Sequence, residues 1–273
     1  MPKIQANDIK LNYEQQGSGE PLILIPYLAA DNACYAFQVA EYAKHFTCIS
    51  VDLRGTGESD KPGGTYSTEL FADDVAAFMH AMGISSAHIS GLSLGAATGL
   101  WLAEKYPDKV KSLSVHSCWA KTDLYSKTVV EGWQVVAKAL NSVPGMVISA
   151  LFPWCFTPEL YAARPDYIQS LAAFVRSRPA QPLSCFLQHS NAVIAHDAST
   201  QLARITAPTL ITFGERDQLT STRFAEPMKS AIRDSALVIF AGCSHAALYE
   251  NVEEFNQKTL AFLQRHVGVA ASA

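Results

Sequence analysis

Ser93, Asp217 and His245 are the residues whose types and order could together break an acyl bond. Ser93 lies in Gly91-Leu92-Ser93-Leu94-Gly95, a G-x-S-x-G pattern. A serine hydroxyl is a weak nucleophile near neutral pH and needs an adjacent base. His245, in Gly242-Cys243-Ser244-His245, is the candidate base. A carboxylate must then fix the tautomer of that base and stabilise its charged form. Asp217, in Gly214-Glu215-Arg216-Asp217, is the candidate, with Glu215 beside it and Asp123 further upstream as competitors. The order Ser, Asp, His along the chain is one of the known arrangements of such a trio. The other histidines have blander readings. His45, His80 and His266 fall late in helical stretches and His88 and His116 within strands, while His189 and His196 fall where they could reach a substrate.

The pattern around Ser93 carries weight only if a strand precedes it and a helix follows. Ala87–Ser90 reads as a short strand and Leu94–Lys105 as a helix. Leu22–Ile25 is a continuous apolar run, expected for a strand buried on both faces of a parallel sheet. Thr47–Val51, Val110–His116, Thr209–Phe213 and Leu237–Phe240 read as further strands. Helices are expected over 32–45, after a Ser67 cap, over 221–232 and over 251–266. An N-terminal hairpin turns at Asn7-Asp8. This alternation predicts one α/β domain with a mostly parallel sheet covered on both faces. His245 follows the last strand, so it falls near the carboxyl edge of the sheet, where Ser93 also falls and where open α/β sheets place their sites.

The alternation breaks between residues 123 and 197, which have helical patterns, little strand character and many aromatics. This segment is expected to be a helical lid inserted into a core made of residues 1–122 and 198–273. Tyr27, Trp119, Trp154 and His189 are candidate substrate contacts, although aromatics in such an insertion also serve as its own core. Arg164, Arg176 and Arg178 could clamp a substrate carboxylate or simply lie in solvent.

Composition narrows the classes. The chain has 273 residues, 49% hydrophobic and 17% charged, with a formal net charge of −4. There is no basic run to attract nucleic acid, and no apolar run long enough to span a bilayer. The N-terminus lacks a secretory apolar region. The six cysteines are dispersed, with no CxxC pair, so they read as buried thiols of a cytoplasmic protein and not as a metal site or disulfide frame. The Ala/Val/Ser tail after Gly268 is expected to fray.

With these motifs in hand, the sequence resembles the α/β-hydrolase superfamily over nearly its whole length. Asp52-Leu53-Arg54-Gly55-Thr56-Gly57-Glu58-Ser59 matches the family's D-x-R-G-x-G-x-S turn, which shapes one wall of the site. Read alone, Gly55-Thr56-Gly57 hints at a nucleotide loop, but the third glycine is missing. The resemblance implies an oxyanion hole built from the backbone N–H groups of Leu28 and Leu94. One departure stands out: the family usually carries His-Gly where this chain has Pro26-Tyr27. Beta-ketoadipate enol-lactonases also lack His-Gly there, and they are the nearest subfamily in appearance. Relatives that open epoxides or remove halide use Asp at the nucleophile position, so Ser93 sets those activities aside.

The expected activity is therefore hydrolysis of a carboxylic ester or lactone through an acyl-enzyme, with no metal or organic cofactor. Two alternatives keep the same trio. One is hydrolysis of a carbon–carbon bond in a ring-cleavage product. The other is a ligand receptor of this fold, which would turn over slowly and change its partner binding.

Overall fold

The computed structural model describes residues 2–268; the tail after Gly268 lies outside the described residues. Eight strands form one sheet in the order β1-β2-β4-β3-β5-β6-β7-β8. They are β1 (Lys3–Ala6), β2 (Ile9–Gln16), β3 (Pro21–Ile25), β4 (Thr47–Val51), β5 (Ala87–Leu92), β6 (Val110–His116), β7 (Thr209–Gly214) and β8 (Ser235–Phe240). The hairpin β1–β2 is antiparallel and joins β4 antiparallel, while β3 to β8 pair in parallel.

β3 shows why a short apolar run lies at the centre. Leu22, Ile23, Leu24 and Ile25 are all fully buried. Side chains alternate across a strand, so Ile23 and Ile25 join one apolar layer and Leu22 and Leu24 the other. Each such side chain contributes about 1.5–3 kcal/mol of burial free energy. The helices cover both layers. They are α1 (Ala36–Tyr42), α2 (Thr68–Ala81) and α3 (Leu94–Lys105). Ser67 caps α2 by accepting the Leu70 N–H at 3.0 Å, and the helix buries Phe71, Val75, Phe78 and Met79.

Between β6 and β7 every extended element is helical. The insertion holds α4 (Leu124–Leu140), α5 (Val143–Met146), a π-helical turn over Val147–Leu151, α6 (Phe152–Cys155), α7 (Pro158–Ala163), α8 (Pro165–Ser177) and α9 (Leu183–Ala195). Its two ends run side by side. Lys121 and Asp197 form an antiparallel bridge and an ion pair at 2.8 Å. Thr122 N–H donates to His196 O and Ala198 N–H to Ala120 O. The chain then closes with α10 (Ala225–Ala231), α11 (Ala247–Glu250) and α12 (Val252–Arg265).

Two helices are shorter than their patterns predict. The segment 32–45 begins as a 3-10 turn, Asn32–Tyr35, because Asp31 caps it through the Ala33 N–H and that end tightens. The segment 221–232 likewise opens with a 3-10 turn over Thr222–Phe224. All six cysteines are buried and unpaired.

The strand histidines tie neighbouring strands together. His116 on β6 lies 3.1 Å from Ser90 Oγ on β5 and 2.8 Å from Thr212 Oγ1 on β7. Burial pushes it down to about 3. Burial likewise pushes His189 and His196 down to about 4. An unfolded histidine takes up its proton near pH 6.5. Between that pH and about 4 the unfolded chain therefore binds more protons than the folded one, and stability falls with pH. Asp217, held below its ordinary value, loses its contribution only at lower pH. The melting temperature should fall steadily from pH 7 to pH 4.5 when followed by circular dichroism; a flat profile would contradict these buried neutral rings.

Candidate active site

Ser93 stands on the turn between β5 and α3 with φ +53° and ψ −114°. A non-glycine residue there carries backbone strain of about 1–3 kcal/mol. The turn is enforced by close approach on both sides. A Cβ on Gly91 would stand 2.3 Å from the Gly95 carbonyl carbon, and one on Gly95 would stand 2.1 Å from the Ile25 oxygen. Only glycine fits at either place. Ser93 N–H donates to His116 O at 2.9 Å, which anchors the turn to β6.

The Ile25 contact places the end of β3 against this turn. The Tyr35 hydroxyl reinforces it, donating to Ile25 O and accepting the Leu92 N–H, both at 2.9 Å. After β3 the chain turns sharply. Ala30 N–H donates to Tyr27 O at 3.2 Å, and Ala29 takes φ +62°, as the third residue of a type II turn does. Leu28 is the second residue of that turn. Leu94 opens α3, and a helix leaves its first amides without intrahelical acceptors. Such amides are suited to a developing oxyanion.

His245 and Asp217 come together as the sequence suggested. His245 Nδ1 donates to Asp217 Oδ2 at 2.9 Å, and both residues are buried. The other oxygen of Asp217 accepts the N–H groups of Leu219 and Thr220, at 2.8 and 3.0 Å. Burial opposes the charge on Asp217, but His245 and these donors outweigh it and hold the carboxyl below the usual range. The Thr220 hydroxyl lies 2.8 Å from Asp217 Oδ2, 3.1 Å from His245 Nδ1 and 3.0 Å from Ser117 O. Ser117 Oγ in turn donates to His245 O at 2.8 Å, fixing the loop that carries the ring.

The competitors of Asp217 are engaged elsewhere. Asp123 caps α4 through Ser126 N–H and pairs with Arg223. Glu215 accepts the Gly242 N–H.

Two cavities meet at this point. The narrower, about 500 Å³ of unfilled space, is bordered by Ser93, His245, Leu28, Trp119 and Trp133. The wider, about 960 Å³, runs between the insertion and the core and is bordered by Thr56, Gly57, Val147, Phe152, Arg178 and others. Tyr27, Leu28, Leu151, Cys155 and His245 border both. The π-helical turn supplies Val147 and Leu151 to the wall. Turns of this kind are frequent at functional sites.

Of the expected substrate contacts, Tyr27 and Trp119 border the cavities. The Tyr27 hydroxyl donates to Tyr249, which donates to Cys34 O. The Trp119 indole N–H donates to Thr122 Oγ1 at 2.7 Å.

Trp154 and His189 do not border either cavity. Trp154 is half-buried against the main apolar cluster and meets Tyr125 edge-on. His189 is fully buried, and its Nε2 donates to Arg54 O at 2.6 Å, pinning α9 to the turn after β4. Its ring packs against Tyr66 and Phe71. Arg164 and Arg176 are exposed, and Arg164 stacks on Tyr167. Arg54 is bound by Asp74 at 2.5 and 2.7 Å and by Asp8 at 2.9 Å, so it braces the fold. Among the described residues no group of histidine, cysteine and carboxylate side chains is arranged to hold a metal. No helix among them is long and apolar enough to cross a membrane.

Tyr35, Ser117 and Thr220 were not singled out by pattern. Their hydroxyls act through hydrogen bonds that reach residues distant in sequence, and no local spacing marks them.

Comparison with known proteins bears on the fold and the family. The sequence profile described as "alpha/beta hydrolase fold" matches residues 17–252. The chain is similar to 3-oxoadipate enol-lactonase 2 of Acinetobacter baylyi, 26% identical over 266 residues and covering 96% of each chain. It is also similar to RutD of Azorhizobium caulinodans, a provisionally assigned carbamate hydrolase. That likeness is 26% over 268 residues, covering 96% of this chain and 98% of that one. Among solved structures, the enol-lactonase of Burkholderia xenovorans LB400 superposes with a TM-score of 0.87 at 25% identity, covering 96% of this chain and 100% of that one.

The Tyr35 bridge is open to test. Tyr35→Phe removes the acceptor of the buried Leu92 N–H and the donor to Ile25 O. A buried group left without its partner costs about 1–3 kcal/mol. Urea unfolding should move to a lower midpoint with an unchanged slope. An unaltered midpoint would mean that the bridge does not hold the two turns together.

Proposed function

Since the chain belongs to the alpha/beta hydrolase family, we propose that it is a serine hydrolase that cleaves a carboxylic ester or lactone through an acyl-enzyme. The observation that carries this reading is that His245, paired with Asp217 at 2.9 Å, borders the same cavity as the strained Ser93 turn. In this reading His245 takes the Ser93 proton as the hydroxyl attacks the acyl carbon. Asp217 holds the Nδ1 proton, so the other ring nitrogen is the base. The N–H groups of Leu28 and Leu94 receive the oxyanion. His245 then protonates the leaving alcohol or enol, and water activated by the same ring releases the acid. Tyr27 and Trp119 contact the substrate. Thr220 and Ser117 position His245.

The likeness to enol-lactonases and the mostly apolar cavity walls favour esters and lactones over more polar acyl compounds. Residues 123–197 act as a lid over a core of 1–122 and 198–273, their ends stitched together at Lys121 and Asp197. Six unpaired buried thiols fit a reducing compartment such as the cytoplasm.

The test is a panel of aryl esters, alkyl esters, lactones, a carbamate and a ring-cleavage diketone, assayed on wild type and on Ser93→Ala. Esters or lactones should turn over repeatedly, and Ser93→Ala should lower kcat by about 10⁴-fold or more. Mass spectrometry during turnover should show the acyl group on Ser93. Undiminished turnover in Ser93→Ala would overturn the assignment. Exclusive cleavage of the diketone or the carbamate would move the activity to another bond.

A further inference from the structure

The wider cavity has an electrostatic character that the hydrolase reading does not require. Among the described residues bordering it, Arg178 is the one lysine or arginine and Asp31 the one acidic residue. They neutralise each other: Arg178 Nε donates to Asp31 Oδ2 at 2.8 Å, and Asp31 is 7% exposed. Asp31 is fixed in turn, since its other oxygen accepts the Ala33 N–H and caps the turn Asn32–Tyr35. The cation is thus bound to a carboxylate that cannot easily leave.

Beside the pair, Gln181 borders the same cavity and is 8% exposed. Its Nε2 donates to Gly55 O at 3.1 Å. That carbonyl only accepts, so the orientation of the amide is determined and Oε1 is the remaining atom. Oε1 is buried and has no donor. A buried polar atom without a partner is costly and marks a place where a ligand proton would be gained.

We infer that the wider cavity takes the arm of an ester substrate that carries a neutral hydrogen-bond donor, a hydroxyl or amide N–H, and disfavours an arm ending in a carboxylate. This rests on the hydrolase reading of Ser93. A hydroxyl can give its proton to Gln181 Oε1 and accept from Arg178. A carboxylate has no proton for Oε1, and it meets the charge of Asp31 beside a cation already paired. The mostly aliphatic and aromatic walls, including Val147, Phe152, Leu171 and Phe174, suit a hydrocarbon linker between the reacting bond and that polar group.

Two matched series test the inference, one for each side of the ester. On the acyl side are methyl hexanoate, methyl 6-hydroxyhexanoate and monomethyl adipate. On the alcohol side are hexyl acetate, 6-hydroxyhexyl acetate and 6-acetoxyhexanoate. In the series whose arm enters the wider cavity, kcat/KM should rank hydroxyl above methyl above carboxylate, with about tenfold or more between the extremes. Gln181→Met should bring the hydroxyl-to-methyl ratio to about one. Asp31→Asn, which keeps a capping side chain, should raise the carboxylate ester about tenfold relative to the methyl ester by freeing the Arg178 charge.

Binding of the same compounds to Ser93→Ala by calorimetry reads the arm separately from turnover. The ranked order in binding without wild-type hydrolysis would sustain the arm and sink the hydrolase reading. Hydrolysis without the ranking, a preference for the carboxylate, or a hydroxyl-to-methyl ratio unchanged in Gln181→Met would sink the arm.

Discussion

Between Ile25 and Gly95 there is no room for a side chain. A Cβ at Gly95 would stand 2.1 Å from the Ile25 oxygen, so the end of β3 and the start of α3 meet backbone to backbone. Tyr35 locks this contact from the other face of the sheet with a single hydroxyl. The positive-φ conformation of Ser93, the place of the Leu94 amide and the turn that carries Leu28 are all held by it. The strain at Ser93 is sustained because β5, β6 and α3 leave the turn no other path. Parallel pairing on both sides of β5 makes that restraint rigid.

The second half of the site is held by polar groups in place of close packing. Asp217, Thr220, Ser117 and His245 form a buried network in which the donors are matched to acceptors. Matched networks of this sort orient a ring tightly, because any other rotamer strands a buried group. The same economy governs the D-x-R-G-x-G turn. Asp52 accepts Asn12 Nδ2, Asn32 N–H and Glu58 N–H, tying β2, the loop after β3 and its own turn together. Gly57 makes that possible, since a Cβ there would collide with the Asp52 carboxylate.

The insertion contributes the cavity walls. Its helices pack through Val130, Trp133, Met146 and Phe186 into the main apolar cluster, so it is continuous with the core. The π-helical turn brings Val147 and Leu151 to the same wall, and Thr157 fastens the following segment to Glu250 through its N–H and hydroxyl. Cys155, Leu151 and His245 border both cavities, so insertion and core jointly shape the space beside Ser93.

The strands and the candidate trio were legible in sequence. β4, α3 and β6 have the bounds their patterns predict, because each is a short run of small and apolar residues that the fold buries almost throughout. Ser93, Asp217 and His245 could be named because each sits at a strand's carboxyl end, and a parallel sheet brings those ends to one edge. His189 and Trp154 were misplaced for a complementary reason. Periodicity tells that a helix exists in the insertion, but not which face it turns to the cavity. His189 faces Arg54 O, and only packing decides that. Arg178 could be read from sequence only as a free cation, since Asp31, which neutralises it, lies 147 positions away. What the sequence alone determined was the kind of fold and a candidate trio, Ser93, Asp217 and His245, brought to one edge of its sheet. What the tertiary structure decided was the hydrogen-bond partners and the cavity walls, because those depend on distances between segments far apart in the chain.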